Sequence, residues 1–364
     1  MKRLITLLLA IVSYSQIIAA ENYIEYHKKI IQAQNLFLAG NLKASTDKYK
    51  EIFAQYNKPF VKDCFIAAQI ACLRKDTGDA VYFFEKAFMH GLNWKWLFDI
   101  QPVKELIVNN RQFEKTLRDK YEPARKKYLL SIDTALRTRV RKLILKDEYY
   151  KLSIAQKYRN ESKDTTHWMQ GDSLYAKALD ENLVEIRNII RQRGYPGEHM
   201  IGVWDAETDK YCGIEYNFSD DLYKNVCSVT SIMFYHHEYG YQFLYKELLQ
   251  AVKDGEMAPG EYALIHEWSY NSIDDSEKLR CKYGRYASYR TSKNVMNYHE
   301  VCDIVPRDCR YNLFINWFHF TKYTALVDKC RSEVGMYSLL HNTMLKKFER
   351  DNNVQLHVGF FEQF

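Results

Sequence analysis

From Tyr23 to about Asp119, apolar residues recur three or four positions apart and Pro is nearly absent. That period predicts consecutive amphipathic helices. Within the stretch, Ser45, Tyr49 and Ile52 share their spacing with Ala80, Phe84 and Ala87, 35 residues further on. Gly40-Asn41-Leu42 precedes the first set, Thr77-Gly78-Asp79 precedes the second, and Pro59 follows the first helix pair. A small–aromatic–small spacing lets two helices approach closely while a ring fills the groove between them.

Further along, residues 120–175 predict one or two long helices and a polar loop from Asn160 to Asp172. Asp180 to Arg193 is amphipathic and closes at Gly194, with Pro196 just behind, the usual signs of a helix stop. From His199 to Val226 the helical period fails. Trp204, Tyr211, Ile214, Tyr216 and Phe218 alternate with polar residues, which predicts a small hairpin or ordered loop. A strong helix follows over Ser231–Lys253, ended by Gly255, and a shorter one over Glu261–Tyr270. The expectation is a mostly α fold. A short helical-repeat array over 21–120 packs on an α-rich C-terminal domain, 121–364, with an irregular or β insertion at about 203–230.

At the N-terminus, Lys2 and Arg3 precede the apolar run Leu4–Val12, and a small residue, Ala20, ends the stretch. Residues 1–20 therefore read as a secretory signal peptide cleaved after Ala20, with an uncleaved anchor as the alternative. No later run reaches the roughly 18 apolar residues of a membrane span. A mature chain from about Glu21 in the periplasm or outside the cell is expected, without stable membrane insertion.

Composition narrows the class. An apolar fraction of 47% excludes a disordered chain, and six Pro with 14 Gly exclude a low-complexity or collagen-like one. The 29 Tyr outnumber 19 Phe and six Trp together, suiting half-wet helix interfaces or binding surfaces. Net charge is +6, two units of it from Lys2 and Arg3, too mild an excess to point to nucleic acid. One basic concentration stands out: Arg125, Lys126, Lys127, Arg137, Arg139, Arg141, Lys142 and Lys146. Interleaved with apolar residues, it reads as the solvated face of an amphipathic helix, or else as a site for a polysaccharide or lipid headgroup. Of the eight Cys, Cys302 and Cys309 are spaced to close a short loop, and Cys212 and Cys227 share an irregular stretch. Cys64 and Cys72 are too far apart on one helix to pair and read as small buried residues. Without a C-x-x-C, zinc and thioredoxin-type sites have no support.

The 35-residue correspondence resembles the tetratricopeptide repeat, in two degenerate units. The continuation through Asp99 to Arg111-Gln112-Phe113 looks like the capping end of similar short arrays in exported bacterial proteins. The resemblance implies a protein- or peptide-binding scaffold, with Tyr49 and Phe84 as candidate binding residues. Alternatively, two repeats merely pack on the next domain. His90, near a helix end, reads as a cap.

A second resemblance runs from about 130 to 345. Gly194-Tyr195-Pro196, Gly202, His237 with Gln242, and Gly255-Glu256 are similar in order to a family of uncharacterised bacterial domains. Ala263-x3-Glu267, Tyr283-Gly284 followed by Arg285, and Asp328-x2-Arg331-x2-Val334-Gly335 continue it. No chemistry comes with the family. By residue chemistry, His237 would handle a proton, Glu267 orient it, Tyr283 donate a hydroxyl and Arg331 hold an anionic group. Gln242 and Arg285 would be binding residues. The same set also reads as a buried polar network that fixes helix register. Adjacent His236 and His237 point about 100° apart, so with His266 they make only a weak metal set; no metal and no cofactor is predicted. Two functions stand. One is an exported interaction protein with a protein, peptide or glycan partner; the other is a hydrolase-like enzyme or its inactive relative. A deep polar pocket would favour the second and an exposed apolar patch the first.

Overall fold

The computed structural model describes residues 22–161, 164–214, 230, 233–234, 240–263, 265 and 328–356. They are mostly helical, and among them no strand is present. The signal segment 1–20, most of the expected 203–230 insertion, and Cys227, Cys281, Cys302 and Cys309 lie outside the described residues.

Helix α1 (Tyr23–Leu38) starts at Asn22, whose side chain accepts from the Ile24 N–H. It buries Tyr23, Tyr26, His27, Ile30, Ala33, Gln34 and Phe37 along one stripe. Gly40, at φ +83°, turns the chain into α2 (Leu42–Gln55). The two helices lie close enough for Ser45 Oγ to donate to the Ala33 carbonyl at 2.8 Å. Helix α3 (Val61–Leu73) is buried almost all round, as a central helix must be. It pairs with α4 (Thr77–Met89), which is capped by Asp76 accepting from Asp79 N–H. All six residues of the 35-residue correspondence are fully buried: Ser45, Tyr49 and Ile52 on α2, and Ala80, Phe84 and Ala87 on α4. A 3₁₀ turn (Trp94–Asp99), α5 (Gln101–Asn109) and α6 (Arg111–Ser131) continue the layer, with α6 packed on α4. One hydrophobic cluster runs through Phe37, Phe65, Phe84 and Phe88. Cys64 and Cys72 sit in it as buried free thiols.

A second cluster is built around Val140, Ile144, Ile186, Trp204, Leu248 and Val252. Its frame is a long antiparallel hairpin. Helix α7 (Thr134–Glu148), a π-helical turn (Tyr149–Ala155) and α8 (Gln156–Glu161) form one arm, and α9 (Thr165–Arg193) forms the other. Of the polar loop expected over 160–172, Asn160 and Glu161 belong to α8 and 165–172 to α9. Asp164 caps α9, and Gly171 lets the arms meet, since a Cβ there would lie 2.7 Å from Tyr158 Cβ. Gly194 ends α9 as expected, at φ +83°. Beyond it come α10 (Glu198–Ile201), α11 (Ala206–Tyr211), α12 (Gly240–Lys253) and α13 (Leu339–Asn352). Of the stretch 199–226, expected as a small hairpin or ordered loop, the described part to Ile214 contains two short helices. Asp205 begins the second by accepting from the Glu207 and Thr208 N–H groups, and Thr208 and Asp209 turn inward.

The basic stretch also differs from expectation. Lys126, Lys127, Arg139 and Lys142 are exposed, but Arg137 and Arg141 are 0% exposed and Arg125 is 6%. Arg125 ion-pairs with Asp205 and donates to Thr208 Oγ1 at 2.8 Å. Arg137 reaches Asp209 at 2.7 Å and donates to the Ile201 and Val203 carbonyls at 2.7 and 2.9 Å. Arg141 meets the other Asp209 oxygen at 2.8 Å with its guanidinium 4.6 Å from the Trp204 ring centre. A charged residue on an apolar stripe is solvated only if nothing opposes it, and here α11 supplies the matching carboxylates. These ion pairs fasten α6 and α7 to the 201–209 segment.

Candidate functional site

The two resemblance segments Gly194-Tyr195-Pro196 and Gly255-Glu256 are brought together against the start of the helical array. Gly197 lies so close to the Glu256 carbonyl that a Cβ would overlap it. Gly255, at φ +75°, is pressed against the Tyr23 ring. This contact places a set of titratable side chains in one buried seam. Glu198 accepts from the Val61 N–H at 2.8 Å, capping α3 from 137 residues away. Tyr26 donates to Asp63 at 2.7 Å and accepts from the Phe60 N–H at 3.2 Å. The His199 ring donates to the Lys58 carbonyl and packs 5.8 Å from the His90 ring and 5.3 Å from Phe60. Glu256 accepts from the Met200 and His199 N–H groups, with Lys58 Nζ 3.9 Å away.

Burial sets the protonation here. It pushes the Glu198 carboxyl well above its ordinary range, against the Val61 N–H, with Glu261 and Asp63 adding repulsion. It holds His199 well below an ordinary imidazole, helped by His90 and Lys58, and brings His90 down to about 4. Glu256 is raised to about 7, again by burial, partly offset by Lys58. The Tyr26 phenol is raised by burial and by Asp63, and the His27 ring is lowered by burial and by Lys62. Burial thus disfavours the charged forms of Glu198 and of the His27, His90 and His199 rings within the seam.

Of the residues singled out from sequence, His236, His237, His266, Glu267, Tyr283 and Arg285 lie outside the described residues, and Gln242 falls on α12. Tyr49 and Phe84 are fully buried, Tyr49 against Phe53 and Phe83, and Phe84 against Phe65 and Phe88. They fill helix contacts and offer no surface to a partner in this conformation. Arg331 is 3% exposed, donates to the Tyr337 carbonyl at 2.6 Å and lies 5.5 Å from the Tyr337 ring centre. It braces the turn through Gly335, which packs on His27. His90 does stand at the C-cap of α4, and it also touches His199. Sequence reasoning passed over Tyr26, Asp63, Glu198 and His199. The available signal was the Gly197-Glu198-His199 run directly after Gly194-Tyr195-Pro196.

The hairpin presents a different surface. Its base is held by Leu136, Val140, Ile144, Ile186 and Ile189, while among the described residues of its distal half only Ala155, Gly171 and Ala178 are buried. At 29 residues, α9 is about 43 Å long. Along the distal half Tyr149, Leu152, Met169 and Leu174 are 56, 47, 70 and 42% exposed. Tyr149 and Leu152 lie in the π-helical turn, where the altered register re-aims side chains. Tyr149 faces solvent. Ion pairs Lys146–Glu181 and Arg159–Asp172 flank the apolar residues. A small cavity of about 10 Å³, room for about one water, lies at the arm's base between Asp147, Asn182 and Phe234.

No helix among the described residues is long and apolar enough to cross a membrane, and no group of three His, Cys, Asp or Glu there is placed to hold a metal ion. No family model matches the chain, and no curated protein or solved structure is significantly similar to it.

Proposed function

We propose that this is an exported interaction protein that binds a protein partner through the distal half of the α7–α9 hairpin. In this reading residues 1–20 direct export to the periplasm or beyond, 21–120 are tetratricopeptide-like repeats, and the remainder is an α-rich domain akin to the family it resembles. The repeat assignment draws support from the equal burial of Ser45 and Ala80, Tyr49 and Phe84, and Ile52 and Ala87.

The observation that carries the proposal is the exposure of Tyr149, Leu152, Met169 and Leu174 on an arm whose own packing needs none of them. Large apolar side chains grouped on a projecting element, with charged pairs around them, have the make-up of a protein contact. Of the hydrolase-like set only Arg331 lies among the described residues, buried and donating to the Tyr337 carbonyl. To test the proposal, Leu152→Asp and Met169→Asp are combined and the purified protein is compared with wild type. Binding to the cell-envelope partner should fall at least tenfold, with thermal unfolding unchanged. Equal binding by both proteins would refute the assignment.

A further inference from the structure

The central helix α3 carries one amide among apolar neighbours: Gln69, 0% exposed, between Ala68 and Ile70. A buried amide is costly unless both its polar atoms are satisfied. Both go to a single residue. Gln69 Nε2 donates to the Gln355 carbonyl at 2.8 Å, and the Gln355 N–H donates to Gln69 Oε1 at 2.7 Å. The partner groups are main chain, so the contact reads backbone and not the identity of the side chain at 355. On either side Val354 and Leu356 are 5% and 3% exposed and join the cluster of the helical array, while Gln355 itself is only partly covered. Two apolar residues facing inward, two positions apart, with the main chain between them held by hydrogen bonds, is how an extended peptide is recognised.

The segment is held both by α3 and by the helix that precedes it, which has anchors of its own. Helix α13 is fixed to α1 by Phe348 on Phe37, ring centres 4.9 Å apart, and by His341 against Gln34 and Asn35. The chain then turns at Asn353, φ +51° and ψ 39°, into the short tail. Two further bonds hold the tail, from Val354 N–H to the Glu349 carbonyl and from Leu356 N–H to Glu349 Oε1. A rotation at Asn353 that breaks the two Glu349 bonds together with the Gln69 pair frees 354–356, while the Phe37 and Gln34–Asn35 contacts keep α13 on α1.

We infer that the face of α3 around Gln69 is a peptide-binding groove, filled here by the chain's own Val354–Leu356. Its partner is an extended peptide carrying branched apolar residues two positions apart, and that peptide enters by displacing the tail. This surface is distinct from the hairpin arm, and neither assignment depends on the other.

The test uses the full chain and a fluorescein-labelled peptide with the sequence of residues 351–358. A tethered segment competes at an effective concentration of order millimolar, so wild type should bind the peptide weakly. The V354D/L356D chain, with the tail disfavoured, should bind at least tenfold more tightly, and adding Gln69→Leu should abolish that gain. No binding by a native-like V354D/L356D chain overturns the proposal, as does equal binding of a scrambled peptide or indifference to Gln69→Leu. Should V354D/L356D fail to fold, hydrogen exchange on wild type decides. Excess peptide should deprotect the Gln355 and Leu356 amides, and unchanged protection overturns the proposal. A concentration-dependent dimer with those amides still protected would give the groove to a second copy's tail and likewise overturn it.

Discussion

Replacing Asp209 by Asn removes one negative charge from between two fully buried guanidinium groups at nearly constant volume. At an effective dielectric near 20, each pair at about 4 Å between charge centres is worth roughly 4 kcal/mol of gross attraction. Desolvation cancels much of that in the intact protein, but the two cations stay buried when the anion goes. Breaking a buried pair in this way costs about 3–5 kcal/mol. Arg137 keeps its bonds to the Ile201 and Val203 carbonyls, which argues for the lower part of that range. Arg141 also packs on the Trp204 face. The loss is a large share of the roughly 5–15 kcal/mol that holds a domain folded. Urea unfolding followed by circular dichroism at 222 nm measures it. A triple replacement, Arg137→Met, Arg141→Met and Asp209→Leu, should recover most of it, because all three charges are removed together. A cost below about 1 kcal/mol for Asp209→Asn, typical of exposed ion pairs, would refute the reasoning and return the basic stretch to the surface.

Four further outcomes are expected. Glu256, its side chain 15% exposed, binds its proton more tightly folded than unfolded, with a folded pKa of about 7 against an ordinary 4.5. Stability therefore falls by roughly 3 kcal/mol as pH rises through that window. Urea titrations from pH 4 to 8 should show Glu256→Gln losing that slope, and parallel curves would contradict the burial of Glu256. Gly197→Ala should cost about 3 kcal/mol or more in thermal unfolding, because its Cβ overlaps main chain. Gly213→Ala, at φ +71° with open space around it, should cost only about 1 kcal/mol from backbone strain. Tyr26→Phe should lose about 1–3 kcal/mol by leaving Asp63 short of a buried donor.

The helices between Tyr23 and Asp119 were legible because their apolar residues follow the helical period. Gly194 was legible as a stop because its conformation is a local matter. The burial of Arg137 and Arg141 was not, because local pattern cannot show that Asp209, about 70 residues on in the chain, lies opposite them. The loop expected at 160–172 failed for a related reason. Polar residues around Gly171 mark solvent on one face of α9, while the glycine marks close approach of Tyr158 on the other. Within the seam, Glu198 and His199 drew no notice because their protonation depends on burial by α1 and α3, which no nearby residue signals. The tail's role was equally hidden, since Gln69 and Gln355 are 286 residues apart.

The central claim is that the distal hairpin meets a protein partner. A photo-crosslinking residue placed singly at Leu152 and at Met169, and as a control at Val108 (66% exposed, on α5), tests it in the producing cells. The account predicts one and the same crosslinked protein from both hairpin positions and none from position 108. No crosslink at the hairpin, or the same products from all three positions, would contradict it.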